Sequence, residues 1–211
     1  MKTKIGRLCV ITNTNIQKKY SHIDIAKMAV KGGADILQFR DKFMNTSNLI
    51  ETAFQIKRIC RKSKTKFIVN DRVDIAMIVD ADGVHLGNED IAIKEARKLL
   101  GKRKIIGATA HSLREAIKAQ NDGADYIGFG HIYTTYSKIK NTKPKGLKLL
   151  KKVVSSINIP IFSIGGIDLT NATDVIETGV FGIAVIGAVV KSDNPVQTIK
   201  KLKGIINVQK N

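Results

Sequence analysis

Short apolar runs rich in β-branched residues recur along this chain, and each is followed by a longer stretch with helical spacing. The runs are Leu8–Thr12, Ile36–Phe39, Phe67–Val69, Gly83–Leu86, Ile105–Ala108, Tyr126–Phe129, Ile161–Ile164 and Ile183–Ile186. Segments such as Leu49–Arg61, Leu113–Gln120 and Leu147–Ser155 read as amphipathic helices between them. Eight strands in 211 residues fall about 26 residues apart. Almost continuous apolar strands, each followed by a helix, imply a parallel sheet buried on both faces. Eight is the number that closes a (β/α)8 barrel, and such a barrel uses the whole chain, 1–211, as one domain. An open doubly wound sheet is the alternative. Helix starts are signalled by Ser112 before Leu113 with Glu115 following, and by Asp168 or Thr170 before the 171–177 segment. Helix ends carry glycine at 32–33, 101, 123 and 179.

Hydrophobic residues make up 43% and charged residues 26%, an ordinary globular balance. No apolar run is long enough for a membrane span. The apolar stretch Leu8–Thr12 is too short for a signal peptide, so the cytoplasm is the expected location. Cys9 and Cys60 fit a reducing compartment and lack metal-ligand spacing. The net charge of +18 raises nucleic-acid binding. However, 28 of the 36 cations are lysines spread along the chain, aromatics are 5%, and tryptophan is absent. Nucleic-acid platforms interleave aromatics with cations, so this pattern favours a solvated lysine surface. Small anions such as phosphates would gain from the same field. The sequence does not give an oligomeric state, and a homo-oligomer is left open.

In a parallel barrel the chemistry sits at the C-terminal ends of the strands. After the second strand, alternation puts Gln38 and Arg40 on one side, with Lys42 two residues on. An arginine inside a barrel is costly unless it meets an anion or a carboxylate. Either these three groups converge on a phosphate, or Arg40 pairs with a structural acid and Lys42 is solvated. After the third strand, Asn70 or Asp71 caps a helix, or Asp71 is a Mg²⁺ ligand. After the fourth, His85 reads first as a structural histidine, and Asp90 opens a helix or joins Asp71 in a metal site. Gly107 to Ser112, containing Thr109, follows the fifth strand. From Gly130 to Gly146, periodicity is lost; His131, Thr135, Ser137 and Lys138 lie in this stretch, which is long enough for a binding loop. Gly165-Gly166 and Ile186-Gly187 follow strands seven and eight, where barrels often hold phosphate on backbone N–H groups.

Taken in order, QFRDK at 38–42, NDRVDIA at 70–76, ADGVHLGNED at 81–90, DGADYIGFG at 122–130, TYSK at 135–138 and IPIFSIGGI at 159–167 resemble the thiamine-phosphate synthase family with its TenI-like relatives. The resemblance runs from about Leu8 to Val190. It implies a transferase that joins the diphosphate of a hydroxymethyl aminopyrimidine to a hydroxyethyl-thiazole phosphate, or its carboxylate form. The products are thiamine phosphate and diphosphate, and Mg²⁺ is required. It implies that Gln38, Arg40 and Lys42 bind the pyrimidine diphosphate, and that Asn70, Thr109, Thr135, Ser137 and Lys138 are further substrate-binding residues. By the same resemblance Asp71 and Asp90 hold the metal, and Gly165, Gly166, Ile186 and Gly187 take the thiazole phosphate. Arg40, Lys42, Lys138 and Thr109 would carry the catalysis.

The chain departs from the family pattern in several places. His131 and Thr134 stand where proline is usual, Thr109 where serine is common, Asn88 where glutamine is common, and Gly187 where serine is often seen. A histidine at 131 is typical of the TenI-like branch, which resembles thiazole tautomerases and uses it in proton transfer. That branch often lacks the QxRxK pattern and the aspartate pair, and both are intact here. The synthase is therefore the expected activity, with a His131 tautomerase as one alternative. A basic polyanion- or nucleic-acid-binding barrel without catalysis is the other.

Overall fold

A computed structural model describes residues 5–135 and 143–208 of the chain. The strands are β1 (Leu8–Ile11), β2 (Ile36–Phe39), β3 (Lys66–Asn70), β4 (Gly83–Leu86), β5 (Ile105–Ala110), β6 (Tyr126–Gly130), β7 (Ile161–Ile164) and β8 (Gly182–Val185). The helices are α1 (His22–Gly32), α2 (Thr46–Arg61), α3 (Val73–Ile78), α4 (Ile93–Leu100), α5 (Leu113–Asn121), α6 (Gly146–Ser156), α7 (Ala172–Glu177), α8 (Gly187–Val190) and α9 (Pro195–Val208). Each strand pairs in parallel with the next, and β8 returns to β1, so the sheet is a closed (β/α)8 barrel. Among the described residues no helix is long and apolar enough to cross a membrane.

Strand alternation divides the core in two. Outward residues such as Leu8, Leu37, Phe67, Val84 and Ile127 pack under the helices. Inward residues Cys9, Ile36, Ile68, Ile105, Phe162 and Ala184 fill the lower barrel. Above them the inward positions turn polar, with Gln38, His85 and Thr109. Gly107 and Gly128 make this layer possible. A Cβ on Gly107 would lie 2.1 Å from Cζ of Tyr126, and one on Gly128 would lie 3.0 Å from Cε1 of His85. The two missing side chains are the space in which the two rings sit.

The lower rim is closed by a repeated device. Ala29…Ala34-Asp35, Ala76…Ala81-Asp82 and Ala119…Ala124-Asp125 have the same spacing ahead of β2, β4 and β6. In each, the second alanine N–H donates to the carbonyl of the first, closing the helix. The residue before that alanine has positive φ in all three: Gly33, Asp80 and Gly123. The aspartate then staples its strand to the preceding one in both directions. Asp35, Asp82 and Asp125 donate their N–H to the carbonyls of Leu8, Phe67 and Ile106. Their carboxylates accept the N–H of Leu8, Phe67 and Ile106 at 2.9 Å each. A cation backs every carboxylate: Lys203 at Asp35, Lys66 at Asp82 and Arg97 at Asp125. Phe181 takes the aspartate's place before β8. There Arg7 bridges instead, with Nε donating to the Phe181 carbonyl and Nη1 to the Ile206 carbonyl, each at 2.6 Å.

Three expected helix caps differ. Asp90 does not open a helix: α4 starts at Ile93, and Asp90 turns back to accept the Gly87 N–H at 2.6 Å. Neither Asn70 nor Asp71 caps α3, whose N-cap is Arg72 without a side-chain bond. The cap of α7 is Asn171, because the Asp168 carboxylate is taken by the N–H and hydroxyl of Thr170. Ser112 caps α5 as expected, accepting the Glu115 N–H at 3.2 Å.

A charged hydrogen bond to backbone contributes about 2 kcal/mol. Asp82→Ala is therefore expected to lower the thermal midpoint by roughly 4–8 °C. Glu95→Ala, which removes only the exposed Lys98 bridge, shifts it by no more than roughly 2 °C. Thermal unfolding of the two variants checks both.

Candidate active site

A cavity of about 860 Å³ opens at the C-terminal ends of the strands. It brings together Gln38, Arg40, Lys42, Asn70, Asp71, Asp90, Thr109, His131, Thr135, Gly165, Gly166, Ile186 and Gly187, which are all the expected site residues within the described range. Ser137 and Lys138 lie outside the described residues.

On the β2–β4 side, Lys42 Nζ sits 3.0 Å from Asp71 Oδ2. The Arg40 side chain has no ionic partner among the described residues, so the expectation of a structural acid for it is not met. Asp71 stands at φ 63°, a left-handed conformation unusual outside glycine. Its N–H donates to the His85 carbonyl, which ties the turn to β4. The Asp90 carboxyl lies against that of Asp71. Burial raises its pKa, and the hydrogen bond and negative charge of Asp71 raise it further. Two oxygen-rich carboxylates sharing one space suit a hard cation that takes its remaining ligands from water and phosphate. No cluster of three or more His, Cys, Asp or Glu side chains is placed to hold a metal among the described residues.

The floor is a hydrogen-bonded row across four strands. Gln38 bonds the Tyr126 hydroxyl. His85 Nδ1 lies 3.0 Å from that hydroxyl, and its Nε2 lies 3.0 Å from Thr109 Oγ1. Burial lowers the His85 pKa to about 4, against the pull of Asp71, so the ring is neutral at neutral pH. A neutral ring donates to one hydroxyl and accepts from the other. Burial also pushes the Tyr126 phenol well above its ordinary value. The row therefore holds Gln38 and Thr109 in place without carrying charge.

On the β7–β8 side, Gly165 and Gly166 have φ of 99° and 69°. Their glycines are needed for a reason beyond approach to an anion. A Cβ on Gly165 would lie 2.3 Å from Cβ of His131, and one on Gly166 would lie 2.5 Å from the Thr134 carbonyl oxygen. The Ile132 and Tyr133 N–H groups donate to the Ile164 and Gly165 carbonyls, both at 3.0 Å. Residues 131–134 are thus seated on the glycine turn.

Tyr126, His111, Asp168 and Lys191 also line the cavity and were not singled out from the sequence. Tyr126 and His111 stand at inward positions of their strands' alternation, a signal available beforehand. Lys191 follows α8, which is too short for periodicity to give its facing.

The Arg40 guanidinium, the Lys42–Asp71 ion pair and the Asp90 carboxyl face a glycine turn across one barrel mouth. That arrangement defines an enzyme of the phosphate-handling (β/α)8-barrel class. A family model described as thiamine monophosphate synthase matches residues 8–189. The thiamine-phosphate synthase of Chlorobium phaeobacteroides is 48% identical over 188 residues, covering 89% of this chain and 90% of the relative. That of Chloroflexus aurantiacus is 41% identical over 202 residues, covering 96% and 93%. The solved thiamine phosphate pyrophosphorylase of Pyrococcus furiosus is 38% identical, with a TM-score of 0.87 and 96% of each chain covered. The chain belongs to the thiamine monophosphate synthase family. It is a transferase of thiamine biosynthesis.

The low pKa of His85 has a sign. Folding favours its neutral form, so its contribution to stability is present above the ordinary value of 6.5 and is lost as pH falls from there towards 4. In an NMR titration of the imidazole protons, the His85 resonance is expected to hold its neutral shift down to pH 5.

Proposed function

We propose that the cavity joins an aminopyrimidine methyl diphosphate to a hydroxyethyl-thiazole phosphate. The observation that carries this reading is the pairing of two anion-suited walls across one cavity: Arg40 and Lys42 on one side, the 165–166 and 186–187 turns on the other. Gln38, Arg40, Lys42, Asn70 and Thr135 receive the diphosphate, with Ser137 and Lys138. Gly165, Gly166, Ile186 and Gly187 receive the thiazole phosphate on backbone N–H groups. Lys191, exposed on the cavity wall without an ionic partner among the described residues, adds a side-chain cation there, where Gly187 offers no hydroxyl.

The carbon–oxygen bond to the diphosphate breaks, and the electron pair leaves with the diphosphate. The aminopyrimidine delocalises the resulting cation. The thiazole nitrogen lone pair then forms the carbon–nitrogen bond. No protein nucleophile or base is required, so the chain's residues work by neutralising leaving-group charge and aligning the two rings. Arg40, Lys42 and Lys138 carry the charge, and Thr109, held by His85, lines the floor between the walls. Asp71 and Asp90 would hold Mg²⁺, which supplies further charge neutralisation at the diphosphate. The buried free thiols of Cys9 and Cys60 accord with a cytoplasmic enzyme.

The test is diphosphate release from the two substrates, with Mg²⁺ or with EDTA. Release is expected to need both substrates and the metal, and Arg40→Ala is expected to lower kcat by roughly 10²–10³-fold. Asp71→Asn is expected to lose release at low Mg²⁺. Metal-independent thiazole isomerisation, lost in His131→Ala and kept in Asp71→Asn, would overturn the reading in favour of a tautomerase. Lys191→Ala is expected to raise KM for the thiazole phosphate roughly 10-fold, with KM for the pyrimidine diphosphate unchanged.

A further inference from the structure

Behind the cavity wall, three polar side chains that do not line it form a connected set. Thr12 follows β1, His22 opens α1, and Asp41 stands between Arg40 and Lys42. Thr12 and His22 are buried. His22 Nε2 lies 2.9 Å from Asp41 Oδ2, and its Nδ1 lies 2.8 Å from Thr12 Oγ1. Thr12 Oγ1 accepts the Arg40 N–H at 3.1 Å. Asp41 Oδ1 accepts the N–H groups of Phe43 and Met44, each at 2.8 Å. The edge of the His22 ring packs on Phe39, with centroids 5.0 Å apart.

These bonds have one direction. Burial opposes ionisation of Asp41, but the Phe43 N–H, His22 and the Met44 N–H outweigh it and hold the carboxyl below its ordinary range. An ionised carboxylate only accepts, so His22 Nε2 carries the proton. Burial lowers the His22 pKa, which leaves Nδ1 as the acceptor of the Thr12 hydroxyl. The Thr12 oxygen is then free to accept from Arg40. Every polar atom in the set has a role, and together they grip the turn from both ends.

The turn needs such a grip. Residues 40–45 form no helix or strand, and the N–H groups of Arg40, Phe43 and Met44 are taken by side chains of this set. Apolar burial holds little of the tip: Phe43 is 83% exposed, and Met44 is only partly buried against the core. We infer that Thr12, His22 and Asp41 are positioning residues that fix the backbone on either side of Asp41 and so aim Arg40 and Lys42 together at the diphosphate. Asp41 falls on an open position of the QxRxK pattern, so the pattern itself gives it no role. The inference rests on the diphosphate reading of this wall.

Two pairs of variants test it. Thr12→Val is isosteric and removes the acceptor of the Arg40 N–H, whereas Thr12→Ser keeps it. Asp41→Ala removes the clamp, whereas Asp41→Asn keeps an oxygen for Phe43 and Met44. Thr12→Val and Asp41→Ala are expected to raise KM for the pyrimidine diphosphate about tenfold or more, leaving KM for the thiazole phosphate within about twofold. Thr12→Ser and Asp41→Asn are expected to recover most of the loss. Affinity for inorganic diphosphate with Mg²⁺, measured by calorimetry, is expected to follow the same order, and this readout holds even if the wild-type chain uses other substrates. Equal KM shifts for both substrates, or diphosphate affinity unchanged in Thr12→Val and Asp41→Ala, would overturn the inference. If Asp41→Ala unfolds, Thr12→Val against Thr12→Ser decides it.

Discussion

The carboxylates of Asp35, Asp82 and Asp125 hold the lower rim of the barrel in register. Each sits at the first residue before an even strand and makes a two-way bond to the odd strand before it. Register in a sheet decides which side chains face which way, and a slip of one residue would exchange the interior and exterior sets. The inward placement of Gln38, His85, Thr109 and Tyr126 at the upper end therefore depends on bonds at the opposite end. This division leaves the upper loops free of structural duty. The turn after β2 and residues 131–135 after β6 can be irregular because closure of the barrel is secured elsewhere.

Charge is distributed through the cavity by depth. The floor is polar and neutral: a phenol, an imidazole, a hydroxyl and an amide in one row, each satisfied by the next. Buried polar groups are tolerable on those terms. The ionised groups stand higher, at the mouth, where solvent shares the cost of keeping them charged. Lys42 and Asp71 pair there, Asp90 crowds Asp71, and Arg40 stands without a counter-ion among the described residues. A site ordered in this way suits anions at its rim and neutral rings at its centre.

Much of this was legible in the chain. The apolar beat gave eight strands, and five of the eight differ from the observed limits by a residue or two at one or both ends, chiefly because ladder bonds continue past the apolar run, as at Asn70, Ala110 and Gly130. Within the described residues, the strand-end motifs line one cavity. What the sequence hid had physical causes. Asp90 looked like a helix start because an acid ahead of an apolar segment usually is one, and only the tight turn at Gly87 redirects it. The alanine–aspartate repeat is visible once its hydrogen bonds are known, but each copy alone resembles an ordinary loop. The set of Thr12, His22 and Asp41 spans three chain segments, and no local pattern announces it.

The contact between the 165–166 turn and residues 131–134 reaches beyond this one chain. Neither segment can change shape alone, because a β-carbon on either glycine would enter atoms of the other loop. Replacement of a residue at one place calls for a matching replacement at the other. Variation at these two segments should therefore be inherited in pairs. Directed libraries that randomise one loop while fixing the other will sample mostly chains whose two halves of the cavity no longer fit.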